Sequence, residues 1–204
     1  PKEDNAYTKG IPCDFCHTLQ GFSGNKPGNG NYISVNGPGI DPKRGPYSDA
    51  VSPFHLSQFS ELHTKADICG TCHDYTNGNG VSISNTYTEY IEGPWSKQGF
   101  QCQDCHMLGQ GVAHPLPDRA AIMGPQRAKV FTHRWPGGRS QIQLKGVLDL
   151  ELWVDKKIVK PGDTVTVIAR VTNIKAGHNV PTGDPNRQVW LELKAIDSSR
   201  IFPI

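Results

Sequence analysis

All six cysteines and three of the eight histidines of this 204-residue chain belong to three copies of one pattern. The copies are Cys13-Asp-Phe-Cys16-His17, Cys69-Gly-Thr-Cys72-His73 and Cys102-Gln-Asp-Cys105-His106. Two thiols at this spacing fit on one short helical turn, and the next residue adds an imidazole, which is a common metal ligand. The pattern C-x-x-C-H is typical of c-type haem, which forms thioethers to both cysteines and takes the histidine as its proximal iron ligand. The spacing therefore predicts three haem c groups.

Zinc ribbons and redox-active dithiols also contain C-x-x-C pairs. A zinc ribbon shares one ion between two pairs, however, and three pairs do not divide into complete four-cysteine sites. At this histidine content, a histidine directly after each of the three pairs has a chance probability on the order of 10⁻⁴. We therefore favour covalent haem over zinc and over disulfides.

Five histidines remain as candidates for the opposite, distal face of each iron: His55, His63, His114, His133 and His178. Three haems need at most three of them. Met107 directly follows a proximal histidine and cannot reach the same iron from the other face, so bis-histidine ligation is the expected arrangement. A surplus histidine leaves open the ligation of a haem on a neighbouring subunit.

His55 and His63 are predicted on one helix over residues 53–63, about 80° apart around its axis, so that they serve different haems. His133 lies in an aromatic-rich turn that suits a porphyrin face. His178 lies in a loop flanked by glycines, which permit close approach of the backbone to a flat ligand. His114 precedes a proline in a polar loop and is the least favoured candidate.

Composition limits the function classes further. The chain is 36% hydrophobic and 20% charged, with 22 glycines and 16 prolines, which predicts a modest core and long ordered loops. A net charge of +2 with interspersed signs gives no basic stripe for nucleic acid. No apolar run is long enough to span a membrane, and the first residues lack an apolar signal core, so we expect a soluble, processed chain.

The expected fold class is α+β and rich in loops, with two domains. Residues 1–140 are predicted to form a trihaem domain with short helices around each motif and a helix over 86–92. Residues 141–204 are predicted to form a small antiparallel β-sandwich-like module, because apolar and polar residues alternate near 148–152, 165–171 and 189–195. The sequence 160–163 predicts the turn between the first two of these strands.

The chain resembles multihaem cytochromes c that combine a haem-binding helical and loop domain with a C-terminal β-sandwich. The resemblance covers nearly the whole chain and rests on the haem motifs together with Gly45-Pro-Tyr, Ser52-Pro-Phe-His55, Ser60-Glu-Leu-His63 and Gly177-His-Asn-Val-Pro-Thr-Gly183. It implies export, haem attachment outside the cytoplasm and redox partner proteins. Some related cytochromes polymerise into extracellular filaments.

These observations predict electron transfer through three low-spin haems, in an extracellular or periplasmic conduit, homo-oligomer or filament. One alternative is a soluble periplasmic shuttle. Another is a subunit of a nitrite- or hydroxylamine-type oxidoreductase, which needs one iron with an open position and nearby acid–base groups. No residue is assigned a catalytic role.

Overall fold

The computed structural model describes residues 10–35, 41–108, 116–121, 124–196 and 201–203. Within these residues, short helices and two-stranded sheets alternate with long irregular segments, which confirms a mixed α+β fold with little regular structure. A separate multihaem domain and a sandwich are not established by this arrangement.

A short helix covers the first and third cysteine motifs and the start of the second, which agrees with the predicted short helices around each motif. Helix α1 is Cys13–His17, α2 is Asp67–Gly70 and α5 is Cys102–His106. The backbone of α5 begins with a capping box, in which the Gln101 side chain accepts from the backbone of Asp104 and the Asp104 side chain accepts from the backbone of Gln101. The remaining helices are α3 (Thr86–Glu92), α4 (Pro94–Lys97) and α6 (Gln141–Leu144), and α3 matches the predicted span of 86–92.

The strands of the first part of the chain form four small sheets. Three pairings are antiparallel, and the pairing of β3 with β4 is parallel, with Arg44 opposite Gln58. The strands are β1 (Leu19–Phe22), β2 (Tyr32–Ser34), β3 (Lys43–Gly45), β4 (Ser57–Phe59), β5 (Tyr75–Thr76), β6 (Ser82–Ser84), β7 (Leu116–Arg119) and β8 (Gln126–Val130).

The prediction of a helix over residues 53–63 is wrong. Residues 57–59 form β4 instead, and the backbone then makes a 3₁₀ turn over Glu61–Thr64 that carries His63. The physical reason is the long-range pairing of β4 with β3, which satisfies backbone groups that a helix would have paired locally. His55 therefore precedes a strand, and the predicted angle between the two imidazoles on one helix does not apply.

The C-terminal part contains the ribbon of β9 (Leu148–Val154) and β10 (Val167–Asn173), joined by the predicted turn at 160–163. The prediction of a third strand over 189–195 is wrong, because residues 187–193 are irregular and only β11 (Lys194–Ile196) pairs, with β12 (Ile201–Pro203). No sandwich forms among the described residues, and one face of the ribbon leaves Leu150, Leu152 and Val171 about half exposed.

The buried core is small and lies against the second and third motifs. Ala66, Tyr87 and Tyr90 form its buried cluster, with Cys102 packed on it. Gly70, inside the second motif, fits under the Tyr87 ring so closely that a Cβ there would lie 2.6 Å from the ring. The Tyr87 hydroxyl donates to Asp67 at 2.5 Å, and the Tyr90 hydroxyl donates to the Phe100 carbonyl at 2.6 Å. This core fixes α2 against α3.

Candidate functional site

The six cysteine thiols are free, and those of the three motifs lie beside one another. Burial raises the pKa of Cys16, and the neighbouring thiols of Cys69 and Cys72 raise it further. The interaction between the Cys69 and Cys102 thiols raises the pKa of Cys102 and lowers that of Cys69. The structure therefore brings all three motifs, predicted from sequence as separate sites, into one region.

Two glutamine side chains, one directly before the third motif and one inside it, hold this motif against the segment before the second. Gln101 accepts a hydrogen bond from the Ala66 backbone amide at 2.8 Å. The buried Gln103 amide donates to the Lys65 carbonyl at 2.8 Å. Because this segment directly follows His63, the same contacts also fix the 3₁₀ turn that carries that histidine.

His17, His63 and His133 form what we call the first histidine group. The His17 ring centroid lies 5.7 Å from that of His63 and 6.0 Å from that of His133. The planes of His17 and His63 differ by 23°. Two of the predicted distal candidates therefore lie beside the predicted proximal ligand of the first motif.

Backbone carbonyls set which nitrogen of these rings carries the proton. Nδ1 of His17 lies 2.6 Å from the Arg44 carbonyl oxygen, which can only accept, so Nδ1 donates and Nε2 keeps its lone pair. His63 is held the other way, since its Nε2 lies 2.9 Å from the Cys16 carbonyl oxygen. The Nδ1 of His63 is buried and has no hydrogen-bond partner.

His73, His106 and His178 form the second histidine group. The His106 and His178 ring centroids are 6.1 Å apart, with planes within 18° of each other. Nδ1 of His106 donates to the Pro136 carbonyl at 2.7 Å, and Nδ1 of His178 donates to the Asn179 carbonyl at 2.9 Å. Both rings thus keep a free Nε2. His178 also interacts electrostatically with His73.

The loop that carries His178 is anchored on α3 by one carboxylate. Oε2 of Glu89 accepts from the Asn179 backbone amide at 3.1 Å and from the Thr182 hydroxyl at 2.6 Å. Thr182 also hydrogen-bonds to Thr86 at 2.9 Å. At the start of the loop, a Cβ on Gly177 would lie 3.5 Å from the Trp95 ring. Contacts across the predicted boundary at residue 140 therefore position this histidine.

Four of the histidines are held in their neutral form at pH 7. Desolvation is the largest cause that lowers the pKa of His63, His73, His106 and His133 from the ordinary value of 6.5. His73 is solvent-exposed, but the protein around its ring still lowers its pKa. Neutral imidazole is the form that ligates a metal.

Two remaining sequence candidates are not brought into these groups. The exposed His55 uses Nδ1 on the Leu56 carbonyl at 3.0 Å, and no ring contact joins it to another histidine in the described part of the chain. His114 lies outside the described residues.

Sequence reasoning missed the residues that position the histidines. Arg44 and Pro136 act through backbone carbonyls, which carry no sequence signal at all. Glu89 sits on a helix that was predicted correctly, but its contact with residues 179–182 is a long-range one. Arg187, which helps to lower the pKa of His73, lies in an irregular segment.

The arrangement offers imidazole rings close to one another and pairs of free thiols. Across the described residues, which include all six cysteines, no three histidine, cysteine or acidic side chains converge as they would around a shared zinc ion. Two imidazoles on opposite sides of one metal ion, each with a bond of about 2 Å, have ring centroids about 6 Å apart. The separations of His106 from His178 and of His17 from its two neighbours match that value.

Comparison with family models, with curated proteins and with solved structures gave no match to this chain. Among the helices of the described residues, none has the length and apolar character needed to cross a membrane.

Proposed function

We propose that this chain is a c-type cytochrome that carries electrons through three covalently attached haems. A bound haem supplies one-electron redox chemistry at its iron. The chain's contribution is attachment through Cys13 and Cys16, Cys69 and Cys72, and Cys102 and Cys105. Each thiol adds across a haem vinyl group, so that a carbon–sulfur bond forms and the thiol proton passes to the neighbouring carbon.

Three features of the donor set fit this group. The thiols are free in pairs, as thioether formation requires. The rings of His17 and His106 donate through Nδ1 to backbone carbonyls, and a proximal ligand held in this way presents Nε2 to the metal. His106 and His178 would hold one iron between them, and His17 would be paired with His63 or His133.

The observation that carries electron transfer is the adjacency of the three motifs. Because Cys16 lies near Cys69 and Cys72, and Cys69 contacts Cys102, haems attached there start from neighbouring points on the protein. Transfer between redox groups slows steeply with distance, so close attachment favours hopping from one haem to the next. The lowered pKa values of the half-buried His63 and His106 keep these imidazoles deprotonated at neutral pH, as metal ligation requires.

Haem content and spin state test this proposal directly. The protein is produced in a host with a cytochrome c maturation system, and covalent haem is counted by mass spectrometry and pyridine haemochrome absorbance. We expect three haems for each chain, low-spin electron paramagnetic resonance signals typical of two axial imidazoles, and reversible reduction. A colourless protein that binds zinc stoichiometrically would overturn the proposal.

One observation favours a second candidate, a haem enzyme with an open iron. His178 lies beside both His73 and His106, but one imidazole nitrogen cannot ligate two irons. Among the described residues, no imidazole forms a ring contact with His73. A high-spin signal from one haem, with a spectral shift on addition of carbon monoxide or nitrite, would support this candidate. Three low-spin haems that ignore both ligands would exclude it.

The proposal includes an exported location, redox partner proteins and association with further copies of the chain. The exposed apolar face of the β9–β10 ribbon supports association, because apolar side chains at this density favour burial against a partner. Light scattering and electron microscopy of the haem-loaded protein test this part. A monomer at all concentrations would limit the proposal to a shuttle.

A further inference from the structure

Arg44 is a buried cation with an unsatisfied donor. Its relative exposure is 8%, and its Nη1 is buried with no hydrogen-bond partner. A guanidinium does not lose its proton in proteins, so this group stays charged. A buried charge without a partner destabilises the fold, and an anion held against Nη1 would offset this cost.

Arg44, with its unsatisfied donor, lies next to the first histidine group. Its carbonyl oxygen accepts from His17 Nδ1 at 2.6 Å. The His17 ring centroid in turn lies 5.7 Å from that of His63. The group that satisfies Arg44 therefore lies beside the histidines that would hold the first haem.

Arg44 lines a cavity of about 400 Å³ together with Gln20, Gln58, Phe59, Lys65 and six further residues. The other charges in this cavity have partners. Lys65 pairs with Glu61 at 2.7 Å, and Asp67 accepts from the Tyr87 hydroxyl at 2.5 Å. The Arg44 charge remains the one with an unmet donor in this cavity, all of whose lining residues are described.

The lining of the cavity suits the propionate edge of a haem rather than its thioether edge. None of the six cysteines, all of them described, lines it. The vinyl carbons that form thioethers and the two propionates occupy opposite edges of a haem, so propionates point away from the cysteines. A propionate is a carboxylate, which is the planar anion that a guanidinium pairs with best.

We propose that Arg44 is the ion-pair partner of a propionate of the haem attached at the first motif. This inference rests on the proposed function, and it adds a residue that sets the reduction potential of one haem. A positive charge beside the haem favours the reduced iron, and it also neutralises a negative group that would favour the oxidised iron. Removing it lowers the reduction potential of that haem and leaves the other two unchanged.

The haem-loaded Arg44→Gln variant tests this inference by potentiometric titration. The substitution keeps the backbone carbonyl that accepts from His17, so the ligand geometry is preserved. We expect one of three midpoint potentials to fall, with Arg44→Lys closer to the unsubstituted protein because it restores the charge. Arg170→Gln, at an exposed ribbon position paired with Glu151, is the matched control and leaves all three potentials unchanged.

A purely structural arginine would lower stability in Arg44→Gln without moving any potential, which would overturn the inference. If that variant does not accumulate, a structure of the unsubstituted haem-loaded protein decides the question. A propionate oxygen within about 3.2 Å of Nη1 is the expected result. A phosphate, chloride or protein carboxylate at that position would refute it. Failure of the proposed function is separately visible, because the unsubstituted protein would then contain no covalent haem.

Discussion

Backbone carbonyls orient imidazole rings in both histidine groups, and in the second group a carboxylate side chain also holds the loop of one histidine. In the first group, the Arg44 carbonyl accepts a hydrogen bond from His17 and the Cys16 carbonyl accepts one from His63, beside a polar cavity. In the second, His106 and His178 likewise donate to backbone carbonyls, those of Pro136 and Asn179, and the His178 loop is also tied to Glu89. The second group therefore depends, in addition, on one particular carboxylate side chain.

The largest expected effect follows from removing the imidazole of His178. In His178→Ala, the haem at the third motif loses its distal imidazole and changes from low to high spin, because no side chain replaces the nitrogen. The measurement is electron paramagnetic resonance of the oxidised protein, together with carbon monoxide binding to the reduced protein. We expect one of three haems to respond.

His55→Ala is the control for that variant, because His55 is exposed and lies in neither histidine group. Its spectra should match those of the unsubstituted protein. Three unchanged low-spin haems in His178→Ala would contradict the pairing with His106 and would remove the proposed role of the second group.

A second prediction concerns the packing under the second motif. Gly70→Ala places a methyl group 2.6 Å from the Tyr87 ring and 2.9 Å from Pro27, which forces the core apart. Overpacking of this kind costs about 1–3 kcal/mol of the free energy of unfolding. Guanidinium denaturation of the haem-loaded protein measures it.

Gly78→Ala is the matched control, because a Cβ at Gly78 meets nothing within 4 Å. It should unfold at the same denaturant concentration as the parent protein. An equal loss in both variants would show that the tyrosine cluster does not specifically support the second group.

A smaller effect is expected from Glu89→Ala, which removes both hydrogen bonds that hold the His178 loop. The half-buried carboxylate is partly screened by solvent, so we expect a cost of about 1 kcal/mol. A partial high-spin fraction should appear at the third-motif haem, with the first group unaffected. In Glu92→Ala, at an exposed position of the same helix, the spectra should stay unchanged. Equal spectra in both variants would contradict the anchoring role.

A further effect, confined to alkaline conditions, is a dependence of stability on pH. Burial raises the pKa of Tyr90 to about 12 from its ordinary value of 10. The unfolded chain therefore loses this proton first, and the free energy of unfolding falls as the pH rises from about 10 to 12. Tyr90→Phe has no hydroxyl proton to lose. The difference in the free energy of unfolding between this variant and the parent protein should therefore narrow over that range.

Denaturation at pH 8 and at several values above 10 measures the effect, with Tyr75→Phe at an exposed ring as the control. A constant difference between Tyr90→Phe and the parent protein would show that the Tyr90 proton is not linked to folding.

Local sequence patterns predicted the elements whose reasons are local. The motif helices, helix α3 and the β9–β10 ribbon follow from spacing, caps and alternation over neighbouring residues. The errors arose where backbone pairing is long-range. Residues 57–59 pair with Lys43–Gly45, and the apolar alternation near Val189 found no adjacent strand edge.

The same distinction between local patterns and long-range contacts applies to the candidate site. Composition and spacing identified the histidines that cluster, namely His63, His133 and His178, but gave no indication of which proximal ligand each one meets. The contacts that decide this come from backbone carbonyls and from Glu89, whose partners are remote in sequence. Such contacts leave no periodic or compositional trace.

The anchoring of His178 also sets an order of events during biosynthesis. A chain that emerges amino end first presents all three members of the first histidine group once His133 has appeared. The second group waits for His178 and for Thr182, which ties its loop to Glu89. Chains interrupted between these points would contain a finished first group and an unfinished second one.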